Sequence, residues 1–298
     1  MRVLCLGEAL VDLVCERHVD NVSEVDAFVP HFGGAIANVA VTAAREGGSV
    51  ALAGGAGDDE WGRWLRDRLM EEGVGLEWFR LVEGLATPLA IVTVAPSGEP
   101  SFSLYGEGIG KVIEAVGPFL AEAVSACEGL FFSSNTLVSE AERELTMAAR
   151  DQALALGLPV VFDPNVRLHR WPSPGRVTTV AGECVRDAFL VKCNQPEARL
   201  LTGEVDPERA ADALVAGGAR HVVVTLGADG AILRGELRAD VPGEPARVID
   251  ATGAGDAFLG VLLARLSSSD FYSPALAAAL PDAVEAGARA TERWGAVG

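Results

Sequence analysis

Nine consecutive residues, Asp250-Ala251-Thr252-Gly253-Ala254-Gly255-Asp256-Ala257-Phe258, hold the densest chemistry in the chain. An apolar segment ends at Val248-Ile249, a turn of small residues follows, and Asp256 to Leu266 then reads as a helix, with Phe258, Val261, Leu262 and Arg265 at helical spacing. Glycines at 253 and 255 allow positive φ and close approach, so the turn can aim several N–H groups at one point on the positive end of a helix. That is a cradle for an anion. A carboxylate beside a bound anion is repelled by it, so Asp256 suits a base that takes a proton from a nucleophile attacking a phosphoryl group. The competing structural reading is a plain helix start capped by Asp, and the short G-A-G-D string does not decide between the two.

Further polar clusters fall at expected strand ends, the place where open α/β sheets gather ligands. Asp12 closes Gly7-Glu8-Ala9-Leu10-Val11, although a lone Asp there also serves a turn. The segment His31-Phe32-Gly33-Gly34-Ala35-Ile36-Ala37-Asn38 opens a helix with paired glycines, and Asn38 lies one turn in. Phe162-Asp163-Pro164-Asn165-Val166-Arg167 leaves a strand, and Arg167 offers a planar fork for phosphate or a substrate oxygen, or else a surface ion pair. Asn194-Gln195-Pro196-Glu197 and Thr225-Leu226-Gly227-Ala228-Asp229-Gly230 each follow an apolar strand, and Gly57-Asp58-Asp59-Glu60-Trp61-Gly62 precedes a helix.

In this order the motifs resemble those of the ribokinase-like, or pfkB-type, carbohydrate kinases, from Gly7 to about Gly295. The resemblance implies an ATP-dependent transfer to a primary hydroxyl of a sugar, with Asp256 as base and Gly253, Ala254 and Gly255 around the transferring phosphoryl group. It further implies that Asp12, Gly33, Gly34, Asn38 and Arg167 bind the acceptor, joined by Phe102 and Tyr105. Lys192, Asn194, Thr225, Gly227, Gly230 and Thr252 are expected beside the nucleotide. Mg²⁺ is expected near Asn194 and Glu197 through water, and a monovalent cation such as K⁺ is compatible with the family. GEALVDLV, FGGAIANVA, SFSLY and FDPNVRLHRW are most similar to bacterial fructokinases. Three positions depart: Ala251 where Thr is frequent, Ile36 where Pro is frequent, and Gly106 where Arg often follows the lid tyrosine. Gly106 removes a cation that an acidic sugar would want, which argues mildly against 2-keto-3-deoxygluconate; ribose and nucleosides stay open as acceptors.

The elements that must position these residues are legible in outline. Strands are expected at Val3–Leu6, Val50–Ala53, Leu130–Phe132, Pro159–Phe162, Ala188–Cys193 and His221–Thr225, with amphipathic helices such as Asp59–Glu72 and Ser139–Leu156 between them. The alternation predicts a three-layer α/β/α domain on a mostly parallel sheet. Trp61 and Trp64 read as core anchors. Leu10–Pro30 and Thr87–Tyr105 lack helices and predict a small antiparallel sheet, a lid over the site. The expected division is therefore a core of residues 1–9, 32–86 and 107–298 and a lid of 10–31 and 87–106. Pairing two lids would cover an exposed edge, which predicts a homodimer.

Of 298 residues, 24 are basic and 42 acidic, a net charge of −18, which speaks against a nucleic-acid partner. Five cysteines form no C-x-x-C pair, and Cys5, Cys127 and Cys193 read as core residues, which suits a reducing cytoplasm. The apolar start is broken by Glu8 and Asp12 and reads as a first strand rather than a leader, and no run is long enough to span a membrane. Gly106-Glu107-Gly108-Ile109-Gly110-Lys111 lacks the P-loop spacing, and only Gly7 stands where a dinucleotide fold needs its first glycine. A sugar- or nucleotide-binding regulator on the same fold is the non-enzyme reading, and the presence of Asp256 argues against it.

Overall fold

Apolar runs rich in Val, Leu and Phe become the strands of one large sheet in the computed structural model, which describes residues 1–106 and 108–297. Glu107, inside the glycine-rich string, and Gly298 lie outside the described residues. In chain order the strands are β1 (Arg2–Leu6), β2 (Leu10–His18), β3 (Val29–Gly33), β4 (Ser49–Gly57), β5 (Phe79–Val82), β6 (Leu89–Val94), β7 (Pro100–Tyr105), β8 (Gly129–Ser133), β9 (Val160–Asp163), β10 (Leu190–Asn194), β11 (His221–Thr225), β12 (Ala231–Gly235) and β13 (Ala239–Val241). The helices are α1 (Ala35–Arg45), α2 (Glu60–Glu71), α3 (Gly108–Ser125), α4 (Glu140–Ala155), α5 (Pro174–Val185), α6 (Gln195–Thr202), α7 (Pro207–Ala216), α8 (Ala254–Ser268) and α9 (Ser273–Ala290).

The large sheet has the order β13-β12-β11-β10-β9-β8-β1-β4-β5 and is parallel except where β12 and β13 turn back at one edge. Successive residues of β1 enter opposite layers. Val3 and Cys5 pack with α1, α2, α8 and α9, while Leu4 and Leu6 pack with α3 to α7. Both faces are thus covered, as the near-continuous apolar strands demand. From β1 the chain builds outward to β4 and β5, then returns to build outward from β8 on the other side. The reversal between β1 and β8 opens a crevice at the carboxyl ends of the strands.

Two expectations need correcting. The small sheet has the order β3-β2-β6-β7, and its central pair, β2 with β6, is parallel rather than antiparallel. The two strands leave the core in the same direction because each follows a strand or turn at the same end of the large sheet. β3 also runs to Gly33, past the expected lid boundary at 31. The second correction concerns Trp61, which is 38% exposed; Gly62, Leu65 and Leu69 form the buried stripe of α2, and Trp61 packs edge-on against Trp64. All five cysteines are buried and unpaired. Among the described residues no helix is long and apolar enough to cross a membrane.

The G-D-D-x-x-G string explains how the small sheet is tied to the core. Asp59 caps α2 by accepting from the Gly62 N–H at 2.8 Å. The same carboxylate accepts from the Thr87 hydroxyl at 2.6 Å and the Thr87 N–H at 2.8 Å, just before β6 begins. Gly62 must lack a side chain, because a Cβ there would overlap the Gly57 carbonyl. Gly62→Ala should therefore lower stability by roughly 2–4 kcal/mol. Gly182, in α5 with nothing near an added Cβ, should become neutral to slightly stabilising on change to Ala, by up to about 1 kcal/mol. Urea midpoints of the two variants check the contrast, and equal behaviour would contradict it.

Candidate functional site

Two cavities meet across the first turn of α8. One is lined by Glu8, Leu10, Asp12, Gly34, Asn38, Phe102, Leu104, Asn135, Asn165, Arg167, His169, Arg170, Thr252, Gly253 and Asp256, among others. The second, of about 570 Å³, is lined by Thr225, Gly227, Ala228, Gly230, residues 243–246, Val248, Ala251, Ala254, Gly255, Phe258, Val284, Gly287, Ala288 and Thr291. Consecutive residues of one turn thus face different cavities, and anything passing between two ligands must pass α8.

Gly253 caps α8 in the left-handed region, at φ 77°. Asp256 is the third helical residue rather than the cap. The N–H groups of Gly255 and Asp256 have no partner among the described residues, as the first turn of a helix leaves them. Asp250 fixes the loop leading in: it is fully buried and accepts from the N–H groups of Thr252 at 2.9 Å and Gly295 at 3.0 Å. Gly255 lies over Lys192, whose ammonium would be 2.8 Å from a Cβ at that position.

Asp256 is buried, and Asn38 donates to its Oδ2 at 2.9 Å. Residues 218 positions apart in sequence are joined here by one hydrogen bond. Burial raises the Asp256 carboxyl above its ordinary range; the Asn38 bond and the charges of Lys192 and Arg167 pull it down, and Asp163 pushes it up. Asp12 faces the same cavity. Burial, then the negative charge of Asp256, pushes Asp12 up to about 8, against the pull of Arg167. Gly33 does not line the cavity; it lies against the Asp12 carboxylate, where any side chain would displace it.

The small sheet supplies one wall. Leu10 and Asp12 of β2, Ala90 of β6, and Phe102 and Leu104 of β7 all point inward. Arg167 reaches across from the core and stacks over Phe102, 5.6 Å from the ring centre. Tyr105, expected at the acceptor, is one residue out of phase: strand alternation turns it to the outer face, 60% exposed. The far turn of the sheet docks on the loop before α8, where the Ala251 N–H donates to the Gly98 carbonyl at 2.9 Å and His18 Nε2 lies 2.7 Å from the Ile249 carbonyl.

Several expected nucleotide contacts are framework instead. Lys192 lines neither cavity; its ammonium is buried, 3.0 Å from Asp163 Oδ2. Burial alone would lower it, but Asp163 and Glu197 outweigh that and hold it above its usual range. Asn194 and Glu197 form a reciprocal cap on α6: Asn194 Oδ1 accepts from the Glu197 N–H and Glu197 Oε2 from the Asn194 N–H, both at 2.9 Å. The other Glu197 oxygen accepts from the Val166 N–H at 2.8 Å. Both oxygens are thus already engaged, and no cluster of three or more acidic, His or Cys side chains fit for a metal exists among the described residues. Thr252, expected at the nucleotide, lines the first cavity with Asp12 and Asn38, whereas Thr225, Gly227 and Gly230 line the second together.

The whole described chain to residue 297 matches the model of the pfkB family of carbohydrate kinases, residues 1–297. The chain belongs to this family. It is 32% identical over 270 residues to a fructokinase-2 of Oryza sativa subsp. japonica, covering 90% of this chain and 80% of that one. A fructokinase of Vibrio cholerae O395, solved with fructose, ADP and a potassium ion, is 31% identical with a TM-score of 0.85, over 99% of this chain and 94% of that one. Aminoimidazole riboside kinase of Salmonella enterica is 29% identical with a TM-score of 0.84, covering 100% and 95% of the two chains. The ribokinase-like fold and the assignment as a kinase acting on sugar hydroxyls stand on these likenesses and on the geometry together.

Glu8, Asn135, Asn165, His169 and Arg170 carry no role from sequence alone, yet all line the first cavity. Glu8 carried a readable signal, a carboxylate interrupting an apolar strand end. Asn135 carried none, because its neighbours Ser134 and Thr136 look equally polar. Val284, Gly287 and Ala288 of α9 line the second cavity without any motif around them.

Asp12 makes a testable link between site and stability. Its folded pKa lies above the unfolded value of about 3.9, so its contribution is fully present below that value and is lost as pH rises through about 8. Asp12→Asn never ionises. It should gain stability over the wild type between pH 5 and pH 9, by roughly 1–4 kcal/mol. The same change should raise the acceptor KM by more than about tenfold. Urea unfolding at three pH values, with steady-state kinetics, reads both; a pH-independent stability gap would refute the assignment.

Proposed function

We propose that this kinase transfers the γ-phosphoryl group of ATP to a primary hydroxyl of fructose. One observation carries the reading: the acceptor and nucleotide cavities adjoin across a turn that presents unpaired amides and a buried carboxylate to the point between them. The acceptor hydroxyl gives its proton to Asp256 as its oxygen bonds to phosphorus and the β–γ bridging bond breaks, releasing ADP. The N–H groups of Gly255 and Asp256, with the positive end of α8, meet the charge that develops on the transferring group. Lys192, just beneath Gly255, adds a fixed positive charge there without touching either ligand.

Asp12, Gly34 and Asn38 hold the sugar, and Arg167 closes against Phe102 above it. The nucleotide lies along Thr225, Gly227 and Gly230 with its base among Val284, Gly287 and Ala288. Mg²⁺ would neutralise the polyphosphate, kept by phosphate oxygens and waters, since Asn194 and Glu197 are committed to capping α6. The small sheet acts as a lid that excludes water. Its outer face presents the exposed Tyr105, which supports a homodimer formed lid to lid. A reducing cytoplasm suits the five free, buried cysteines.

Fructose is favoured over acidic sugars because Gly106 supplies no cation from the end of the lid strand, and of the two arginines in the cavity wall Arg170 is partly engaged by Asn135 through its Nη1. ADP release measured over fructose, ribose, 2-keto-3-deoxygluconate and adenosine should show fructose turned over with the highest kcat/KM. Asp256→Asn should leave fructose binding by calorimetry within about threefold and lower kcat by about 10²–10⁴-fold. Retention of wild-type kcat would remove Asp256 from the mechanism.

A further inference from the structure

Glu8 follows β1 and Asn135 follows β8, the neighbouring strands between which the chain order reverses. Their side chains meet in the crevice. Glu8 Oε1 accepts from the Asn135 amide at 3.1 Å and from the Ala35 N–H at 3.2 Å, at the start of α1. Asn135 is fixed in turn. Its Oδ1 accepts from Arg170 at 3.2 Å, its carbonyl accepts from the same guanidinium at 3.0 Å, and its Nδ2 also approaches Asn165 Oδ1 at 3.3 Å. These bonds settle which way the amide points and lock Glu8 in place.

They use only one of the two carboxylate oxygens. Glu8 is 3% exposed, and its Oε2 is buried with no hydrogen-bond partner among the described residues. A buried carboxylate oxygen left unpaired is costly, and native structures keep few. Glu8 lines the acceptor cavity. Two other buried unpaired atoms belong to that same cavity, Asn38 Oδ1 and Thr252 Oγ1, both next to the reacting end at Asp256. Three orphan atoms around one hollow match the donors of a polyhydroxylated ligand. Burial raises the Glu8 carboxyl above its ordinary range, opposed in part by its own backbone N–H, Arg170 and Asn135.

We propose that Glu8 is a specificity-determining residue of the acceptor site, whose Oε2 takes a hydrogen bond from a sugar hydroxyl other than the one that is phosphorylated. The inference rests on the cavity being the acceptor site, and it applies to whichever acceptor the enzyme prefers. A site built around an unpaired oxygen rejects the analogue that cannot fill it more strongly than an apolar pocket would. Glu8, held in place by Asn135 and through it by Arg170, therefore selects sugars by one particular hydroxyl.

The test uses the best acceptor of the wild-type enzyme and its set of monodeoxy analogues, so an acceptor other than fructose leaves the test intact. Glu8→Ala should raise the acceptor KM about 10- to 100-fold with kcat within about threefold, while the ATP KM stays within about twofold. One monodeoxy sugar should lose a similar factor with the wild type and nothing further with the variant, because both changes delete the same bond. Glu8→Gln, which retains the bonds to Ala35 and Asn135, should fall between the two. Strict additivity of Glu8→Ala with every deoxy sugar would overturn the proposal and leave Glu8 a purely structural residue. Should Glu8→Ala fail to fold, additivity in Glu8→Gln overturns it in the same way.

Discussion

The hydrogen bond from Asn38 to Asp256 is the constraint on which the site depends. It joins the first helix after the paired glycines to the first turn of the helix after the G-A-G turn. Asp256 needs to be buried to act as a base near neutral pH, and a buried carboxylate needs a donor to stay where it is. Asn38 provides that donor with one end of its amide and leaves Oδ1 free toward the acceptor. Everything else in the site is arranged around this pair: Asp12 reaches in from β2, Arg167 from beyond β9, and Thr252 from the loop below.

Negative charge accumulates as a result. Glu8, Asp12, Asp163, Glu197 and Asp256 are all buried within one region of a chain that is already acidic. Burial, and after it the neighbouring negative charge, raises the carboxyls of Asp12 and Asp256. Lys192 answers this from beneath and Arg167 and Arg170 from the side. Lys192 is paired to Asp163 yet lies directly under Gly255, so its field reaches the amides above it without its side chain entering either cavity. A lysine in that position stabilises the framework and the incoming phosphates by the same charge, and its burial keeps salt from screening it.

The sequence conveyed the large sheet, its helices and the reacting turn because these rest on local signals: apolar runs, caps, and glycines at positions only glycine can take. It also conveyed that Asp12, Gly34, Asn38 and Arg167 come together, since each sits in a compact motif at a strand end and all line one cavity. Tyr105 was misplaced because a strand's phase is set by what its neighbour pairs with. Phe102 pairs with Val92, and that register turns Tyr105 outward. The parallel pairing of β2 with β6 was hidden for a similar reason, since two short strands of like composition fit either direction. N-x-x-E looked like a metal motif, yet the same spacing is what a capping box requires, and in this chain the capping geometry is complete.

Glu8 and Asn135 show why a site of this kind exceeds its motifs. Each lies at the end of a different strand, 127 residues apart, and no motif links the two. Only the order of strands in the sheet makes them neighbours, because the reversal between β1 and β8 leaves a gap that no helix fills. Side chains at the two strand ends must then satisfy one another or a ligand. Asn135 is satisfied by Arg170, Asn165 and Glu8; Glu8 is satisfied on one oxygen only. The fold that creates the crevice thus also creates an unmet acceptor within it, and meeting that acceptor falls to whatever sugar occupies the space above Asp256.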